Sequence, residues 1–172
     1  VRSFDLSLTY FESSIDNLIL FVQNSQRTSI AQNISKAFIW GDEVSFDMSI
    51  KGYFKWSGSY TYQKALDRSE IAYWKGNHLP GRPEHKVYSK EELSYGGFTF
   101  FHEYYFMGEN YLDRANFMKV ESRNIHNAGI IWNHKNNLSV SVQVMNIGDE
   151  RAYDYIGYPL PGRYYMAKVV YK

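Results

Sequence analysis

The chain has 172 residues, with 19 Lys+Arg against 18 Asp+Glu, no cysteine and an aromatic share of 18%. Balanced charge excludes an electrostatic footprint for nucleic acid, and the missing thiols exclude a disulfide scaffold, thiolate metal sites and a cysteine nucleophile. With 16 Tyr, 11 Phe and 4 Trp the chain is too rich in large rings to be disordered, while no run approaches the ~18 apolar residues of a spanning helix.

Every element predicted from the pattern is a strand. The chain opens in mid-alternation, with Phe4, Leu6, Leu8 and Tyr10 set against Ser3, Asp5, Ser7 and Thr9. Period two gives one apolar and one polar face, hence a strand over 3–22. With no initiator Met and no apolar leader at Val1, the sequence is expected to be a piece of a longer mature protein. A second strand, 32–50, alternates Val44, Phe46, Met48 and Ile50 with Glu43, Ser45, Asp47 and Ser49. A third, 53–66, alternates Phe54, Trp56, Gly58, Tyr60 and Tyr62 with Lys55, Ser57, Ser59, Thr61 and Gln63. Segment 83–94 alternates poorly, because Glu91 and Glu92 spoil either face, and its strand rests on its neighbours. Segment 98–107 carries Phe98, Phe100, Tyr104 and Phe106, interrupted by His102. The remaining strands are 121–133, with Ala128, Ile130 and Trp132; 138–147, with Leu138, Val140, Val142 and Val144; and 162–172, with Tyr165, Ala167, Val169 and Tyr171.

The connections alternate as well. Lys51-Gly52, Tyr95-Gly96-Gly97 and Asn133 to Asn137 are short and carry hairpin residues, whereas 23–31, 67–82, 108–120 and 148–161 are long. Short turns on one side and long loops on the other are the layout of an antiparallel transmembrane β-barrel of the outer-membrane type, all-β throughout. The rings fit two interfacial girdles, with Phe98, Trp132 and Tyr171 low and Tyr10, Tyr104, Phe106 and Tyr165 high. Two other architectures share the alternation: a soluble β-sandwich binding module with an aromatic core, and a self-contained eight-strand barrel acting as anchor or adhesin.

Several stretches resemble the C-terminal barrel portion of the TonB-dependent outer-membrane receptor family. They are FDLSLTYFESSIDNLI with NISKAFIWGDEVSF (Asn33, Gly41, Glu43), WSGSYTYQKA with LPGRPEHK (Tyr60, Leu79, Pro80, Arg82, Pro83, His85), GENYLDRANF over 108–117, and the closing SVQVMNIGDERAYDYIGYPLPGRYYMAKVVYK. In the last, Asn146, Asp149, Tyr153, Pro159, Pro161, Gly162 and Arg163 match the family pattern. The resemblance implies the last eight strands of a barrel of about 22, in a bacterial outer membrane, with a plug domain and earlier strands outside this sequence. It implies uptake of a scarce nutrient, a ferric siderophore or else cobalamin or haem, driven by the TonB–ExbB–ExbD complex through the plug. The family pattern ends on an aromatic residue, whereas this chain ends Tyr171-Lys172, and clipping at both ends is the simplest account.

Chemistry beyond binding is not expected. His78, His85, His102, His126 and His134 show no metal-ligand spacing, and Glu91 and Glu92 point to opposite faces, which is wrong for acid–base cooperation. No phosphate loop or nucleophile elbow occurs, so neither an enzyme, a resident metal nor a cofactor is predicted. His85 is read as structural, His102 as facing lipid or marking a register slip, and His126 as lying near the outer rim. Ligand contacts are expected in the long loops: Arg68, Tyr73, Trp74, Lys75 and His78 in the second, Tyr111, Arg114 and Asn116 in the third, and Arg151, Tyr153, Tyr155 and Tyr158 in the fourth. Aromatic faces and cations together suit an anionic, aromatic metal chelate. The lumen faces are expected to meet water or a plug, and rim cations to pair with outer-membrane lipid.

Overall fold

Extended segments with one apolar and one polar face satisfy their backbone by lying side by side, and here they do so in chain order. The computed structural model describes residues 2–26, 28–134 and 137–171. Among these the strands are β1 (Arg2–Gln23), β2 (Ser29–Ile50), β3 (Phe54–Asp67), β4 (His85–Tyr95), β5 (Phe98–Met107), β6 (Asn110–Tyr111), β7 (Lys119–Val120), β8 (Arg123–His134), β9 (Leu138–Met145), β10 (Tyr153–Tyr155), β11 (Tyr158–Pro159) and β12 (Tyr164–Tyr171), and no helix forms. Eight of them make one antiparallel meander, β1-β2-β3-β4-β5-β8-β9-β12. The other four form two small ribbons inside the long loops, β6 with β7 and β10 with β11, which alternation over so few residues does not announce. In the turn expected over 133–137, residues 135 and 136 lie outside the described residues, as does Lys172.

All eight strands expected from the sequence are present. The poorly alternating fourth is held by unbroken registers on both sides, from Phe54↔Leu93 to Tyr62↔His85 and from Lys86↔Met107 to Tyr95↔Phe98. Two competing architectures are overturned. A sandwich needs a second sheet over the apolar face, and the two small ribbons are the only other sheets among the described residues. A closed eight-strand barrel needs β1 paired with β12, but β1 pairs with β2 and β12 with β9, so the sheet is open at both edges.

The register sorts the side chains into rows across the sheet. One face carries Phe4, Met48 and Trp56 in one row and Phe54, Leu93, Phe100, Ile130, Val142 and Ala167 in the next. The opposite face carries Asp5, Asp47, Ser57, Lys90, Glu103 and Asn127. On the apolar face Phe98 stacks on Trp132 near the short turns, centroids 6.3 Å apart, as a girdle requires. Gly58 sits mid-sheet beneath the Phe46 ring, where an added Cβ would lie 2.7 Å from a ring carbon, so the aromatic residue fills the space its neighbour leaves.

Toward the long loops the faces exchange. Asn17 adopts φ +58, and pairing is interrupted between Asp16↔Lys36 and Leu18↔Ile34. Before this point Ile15 packs inward; after it Leu18 and Leu20 pack inward while Ile19 and Phe21 are exposed. The result is a small core of Ile34, Ala37, Ala65 and Leu79, with Ile15, Leu18, Leu20 and Ile39 against it. Loop 67–82 folds over the inner face there and brings Leu79 to full burial. The loop-side ends of β1–β3 thus carry a small packed core of their own.

Candidate functional site

The long loops bury few of their apolar residues, Leu79, Leu112 and Val120 among them, and polar contacts tie the loops together. Asp67, the last residue of β3, and Arg114, in the link between β6 and β7, form the central contact. Arg114 Nη2 and Nε donate to Asp67 Oδ2 at 2.6 and 3.0 Å, with side-chain exposures of 6% and 2%. The other carboxylate oxygen accepts the Ser69 amide at 2.8 Å, and the guanidinium lies 3.6 Å from the centroid of the Trp74 ring. Asn116 adds a reciprocal pair with His78, its Oδ1 accepting the His78 amide and its Nδ2 donating to the His78 carbonyl. Loops 67–82 and 108–120 are therefore one folded unit.

Gln23, at the top of β1, ties this unit to the last loop. Its amide donates to the Leu112 carbonyl at 3.0 Å, and its side chain bonds both the carbonyl and the amide of Ile156. The last loop has its own anchor just after β9. Asn146, at φ +52 and buried, accepts the Glu150 amide and donates to the carbonyls of Glu150 and Pro161. Asp149 Oδ1 accepts the Arg163 amide at 2.8 Å, and a Cβ at Gly162 would meet that oxygen at 2.6 Å. The residues that carried the resemblance here, Asn146, Asp149, Pro161, Gly162 and Arg163, are thus a loop-closing device.

The Arg163 amide, with the Arg151 guanidinium, holds the Asp149 carboxyl below the usual aspartate range. A lowered folded pKa gives a contribution that is complete above the unfolded value and lost as pH falls through the folded one. We expect exchange protection of the Arg163 amide, corrected for intrinsic rates, to persist through the ordinary aspartate range near 3.8 and to fall only below it. Loss of protection well above that range would contradict the assignment.

Beneath the loops, the inner face of the sheet and the Leu160–Pro161 segment enclose a groove of about 600 Å³. Lys86, Tyr88, Tyr105, Arg123 and Tyr164 line it, and Arg123 is paired with Asp154. The sequence reading passed over these residues. Their signal was visible all the same: Tyr88 and Tyr105 are rings on the inward parity that also carries Lys90 and Glu103, and Tyr164 lies across from Met145 on that face.

The candidate ligand residues have different fates. Arg114 is buried, and Trp74, His78 and Tyr111 are half-buried around it, so these four come together as part of the loop unit. His78 faces Glu84 at 3.7 Å and Tyr111 across 5.8 Å. Arg68 is exposed, over the Phe38 ring, and Tyr73 is 72% exposed against the edge of Trp74. Tyr153, Tyr155 and Tyr158 come together in the β10–β11 ribbon; Tyr153 is half-buried, while Tyr155 and Tyr158 are exposed beside Gln23, Thr28 and Ser29. No group of His, Asp and Glu among the described residues converges as a metal site.

Residues 1–147 match the family model described as TonB dependent receptor-like, beta-barrel. No curated protein matches the chain. Among solved structures it is similar to the siderophore receptor PiuA from Acinetobacter baumannii, with TM-score 0.82, 17% identity, and coverage of 98% of this chain and 26% of that one. It is similar to the copper transporter OprC, with TM-score 0.77, 17% identity, and coverage of 98% and 28%. It is also similar to the ferric yersiniabactin uptake receptor FyuA from Yersinia pestis, with TM-score 0.75, 20% identity, and coverage of 96% and 25%. The chain spans about a quarter of the length of these proteins, and at such identities the likeness is one of fold. With the family model matched over most of its length, the chain belongs to the TonB-dependent receptor β-barrel family, a family of transporters of the bacterial outer membrane and not of enzymes.

Proposed function

We propose that these eight strands are the C-terminal part of a larger barrel that captures a ferric siderophore at its outer loops and passes it inward. Strands elsewhere in the full-length protein pair with the open edges of β1 and β12. A plug domain, also elsewhere, couples import to the TonB–ExbB–ExbD complex. The observation that carries the ligand reading is the division of labour in the outer layer. The buried Asp67–Arg114 pair fixes the loops, and this leaves Arg68, Lys75, Tyr73, Tyr155 and Tyr158 presented outward. Exposed rings beside cations suit an anionic chelate with aromatic arms.

The experiment is binding to the full-length receptor, followed by quenching of its intrinsic fluorescence, with ferric catecholate, ferric hydroxamate, cobalamin and haem as separate titrants. A ferric chelate binds tightest, and Tyr155→Ala with Tyr158→Ala weakens it by about fivefold to thirtyfold, as expected for one or two stacked rings at ~1 kcal/mol each. Preference for cobalamin or haem would replace the ligand and leave the receptor reading in place. Indifference of every titrant to these tyrosines would remove them from the site.

A further inference from the structure

The apolar face of the sheet, directed at lipid in a barrel of this family, changes character at the loop-side ends of β2 and β3. Trp40 pairs across with Lys64, and its ring meets Tyr62 edge to face, centroids 5.6 Å apart. One row higher Phe38 pairs with Leu66. Arg68, one residue beyond β3, lies over the Phe38 ring at 5.8 Å, and its amide donates to the Lys36 carbonyl. Trp40, Phe38 and Lys64 continue the outward parity of Phe46, Met48 and Trp56, whereas Ala37, Ala65 and Asp67 on the other parity are buried under the loops.

The charges of this outward patch are unevenly matched. Lys36 has Asp16 across from it and Glu70 at 4.0 Å. Glu12, on the Trp40 row, accepts from the Tyr10 hydroxyl at 2.7 Å, and Asp42 sits one row lower, between Tyr10 and Tyr62. Among the described residues no carboxylate lies within ion-pair distance of Lys64 or Arg68. The carboxylates thus gather toward β1 and the two unmatched cations stand on the β3 side.

Depth says what these two cations meet. β3 leaves its short turn at Phe54. At ~3.3 Å per residue and a tilt of ~40°, Lys64 lies about 25 Å above Phe54, and Arg68 about 10 Å higher still. An apolar band ~25 Å tall ends at that level, so Lys64 stands where acyl chains give way to headgroups, and Arg68 stands among the headgroups. Trp40 and Tyr62 at the same level are the interfacial rings of the upper girdle. A long cationic side chain there lays its stem along apolar surface and carries its charge to the anionic layer. On the outward side of an outer-membrane barrel that layer is the outer leaflet, built of phosphorylated glycolipid.

We propose that Lys64 and Arg68 hold the phosphorylated headgroup of one outer-leaflet glycolipid, beside the rings of Phe38 and Trp40. Ammonium and guanidinium, ~13 Å apart along one strand line, supply charge-assisted donors to its phosphates. Arg68 is thereby assigned to the leaflet and not to the mouth. The proposal goes beyond the ligand reading and needs no chelate for its test. The full-length receptor is purified from native outer membranes in mild detergent and weighed intact, so that bound lipid is counted per copy, and heat-modifiable migration confirms that each variant is folded. The native receptor is expected to carry the glycolipid. In titrations with lipid A, Lys64→Gln with Arg68→Gln is expected to bind about thirtyfold more weakly, as for two cations at an anionic leaflet. The charge-matched pair Lys51→Gln with Lys119→Gln is expected to bind as the native receptor does. A native receptor without lipid, an equal loss in the charge-matched pair, displacement of lipid A by inorganic phosphate or equally well by phosphatidylglycerol, or a lipid-free species of twice the mass would each overturn the proposal.

Discussion

Arg114→Met opens the outer layer of the receptor and leaves its barrel folded. The reason lies in what stays behind. Asp67 is almost wholly buried, and without the guanidinium one of its oxygens has no cationic partner. Removing one member of a buried pair typically costs about 3–5 kcal/mol, because the remaining charge is desolvated and uncompensated. Trp74 loses the cation that lies over its ring, and the carbonyl of Asn33 loses a donor. The cost falls on the loops, since Asp67 ends β3 and the sheet below is held by its own backbone ladders. Local opening is the cheap response. Limited proteolysis of the full-length receptor in membranes is therefore expected to cut within 67–82 and 108–120, while heat-modifiable migration is unchanged. On the proposed ligand reading, affinity falls with it, because Tyr73 is carried by the same loop. The double variant Asp67→Asn with Arg114→Met removes the stranded charge and recovers part of the protection. Wild-type resistance in Arg114→Met alone would show that the ion pair is not what holds the layer.

The same pair shows where a sequence becomes illegible. Alternation is a local property, so Phe4 to Tyr10 or Leu138 to Val144 declare their strands and faces without help. Asp67 and Arg114 are 47 residues apart in polar loops, and nothing local marks them as partners. Read alone, Arg114 is a cation in a loop and hence a ligand candidate; in the fold it is a buried strut. Glu91 and His102 teach a related lesson. Each looked like a flaw, a carboxylate spoiling one strand and an imidazole interrupting the next. Register sets them side by side, and the two flaws are one hydrogen bond of 2.8 Å. Asn17 escaped because a single residue in the left-handed region changes parity without changing composition. Strand identity was legible from period two, whereas the outer layer depended on contacts that only the fold creates.

Asn146→Ala is expected to release the whole closing link, 146–163, and to do so at greater cost than its one amide suggests. Three hydrogen bonds end on that side chain, from the Glu150 amide and to the carbonyls of Glu150 and Pro161. The residue is 4% exposed, so the groups left behind are not easily rehydrated. Unsatisfied buried groups cost ~1–3 kcal/mol each. Alanine must also hold φ +52, a region that asparagine tolerates and alanine resists at roughly 1 kcal/mol or more. The sum exceeds what a surface loop can absorb, so the link opens instead. Two consequences separate this from simple loss of a contact. The turn of the β10–β11 ribbon carries Ile156, which is bonded to Gln23 at the end of β1, so exchange protection should fall at Ile156 as well as at Glu150 and Arg163. The wall of the groove formed by Leu160 and Pro161 goes with it, and Tyr88 and Tyr105 on the inner face become accessible to solvent quenchers. Asn146→Gly, which keeps the backbone angle and loses the amide, isolates the hydrogen bonds from the strain and should be milder. Equal protection in the alanine, glycine and native receptors would mean that the link is held from elsewhere, through Gln23 or the Arg123–Asp154 pair.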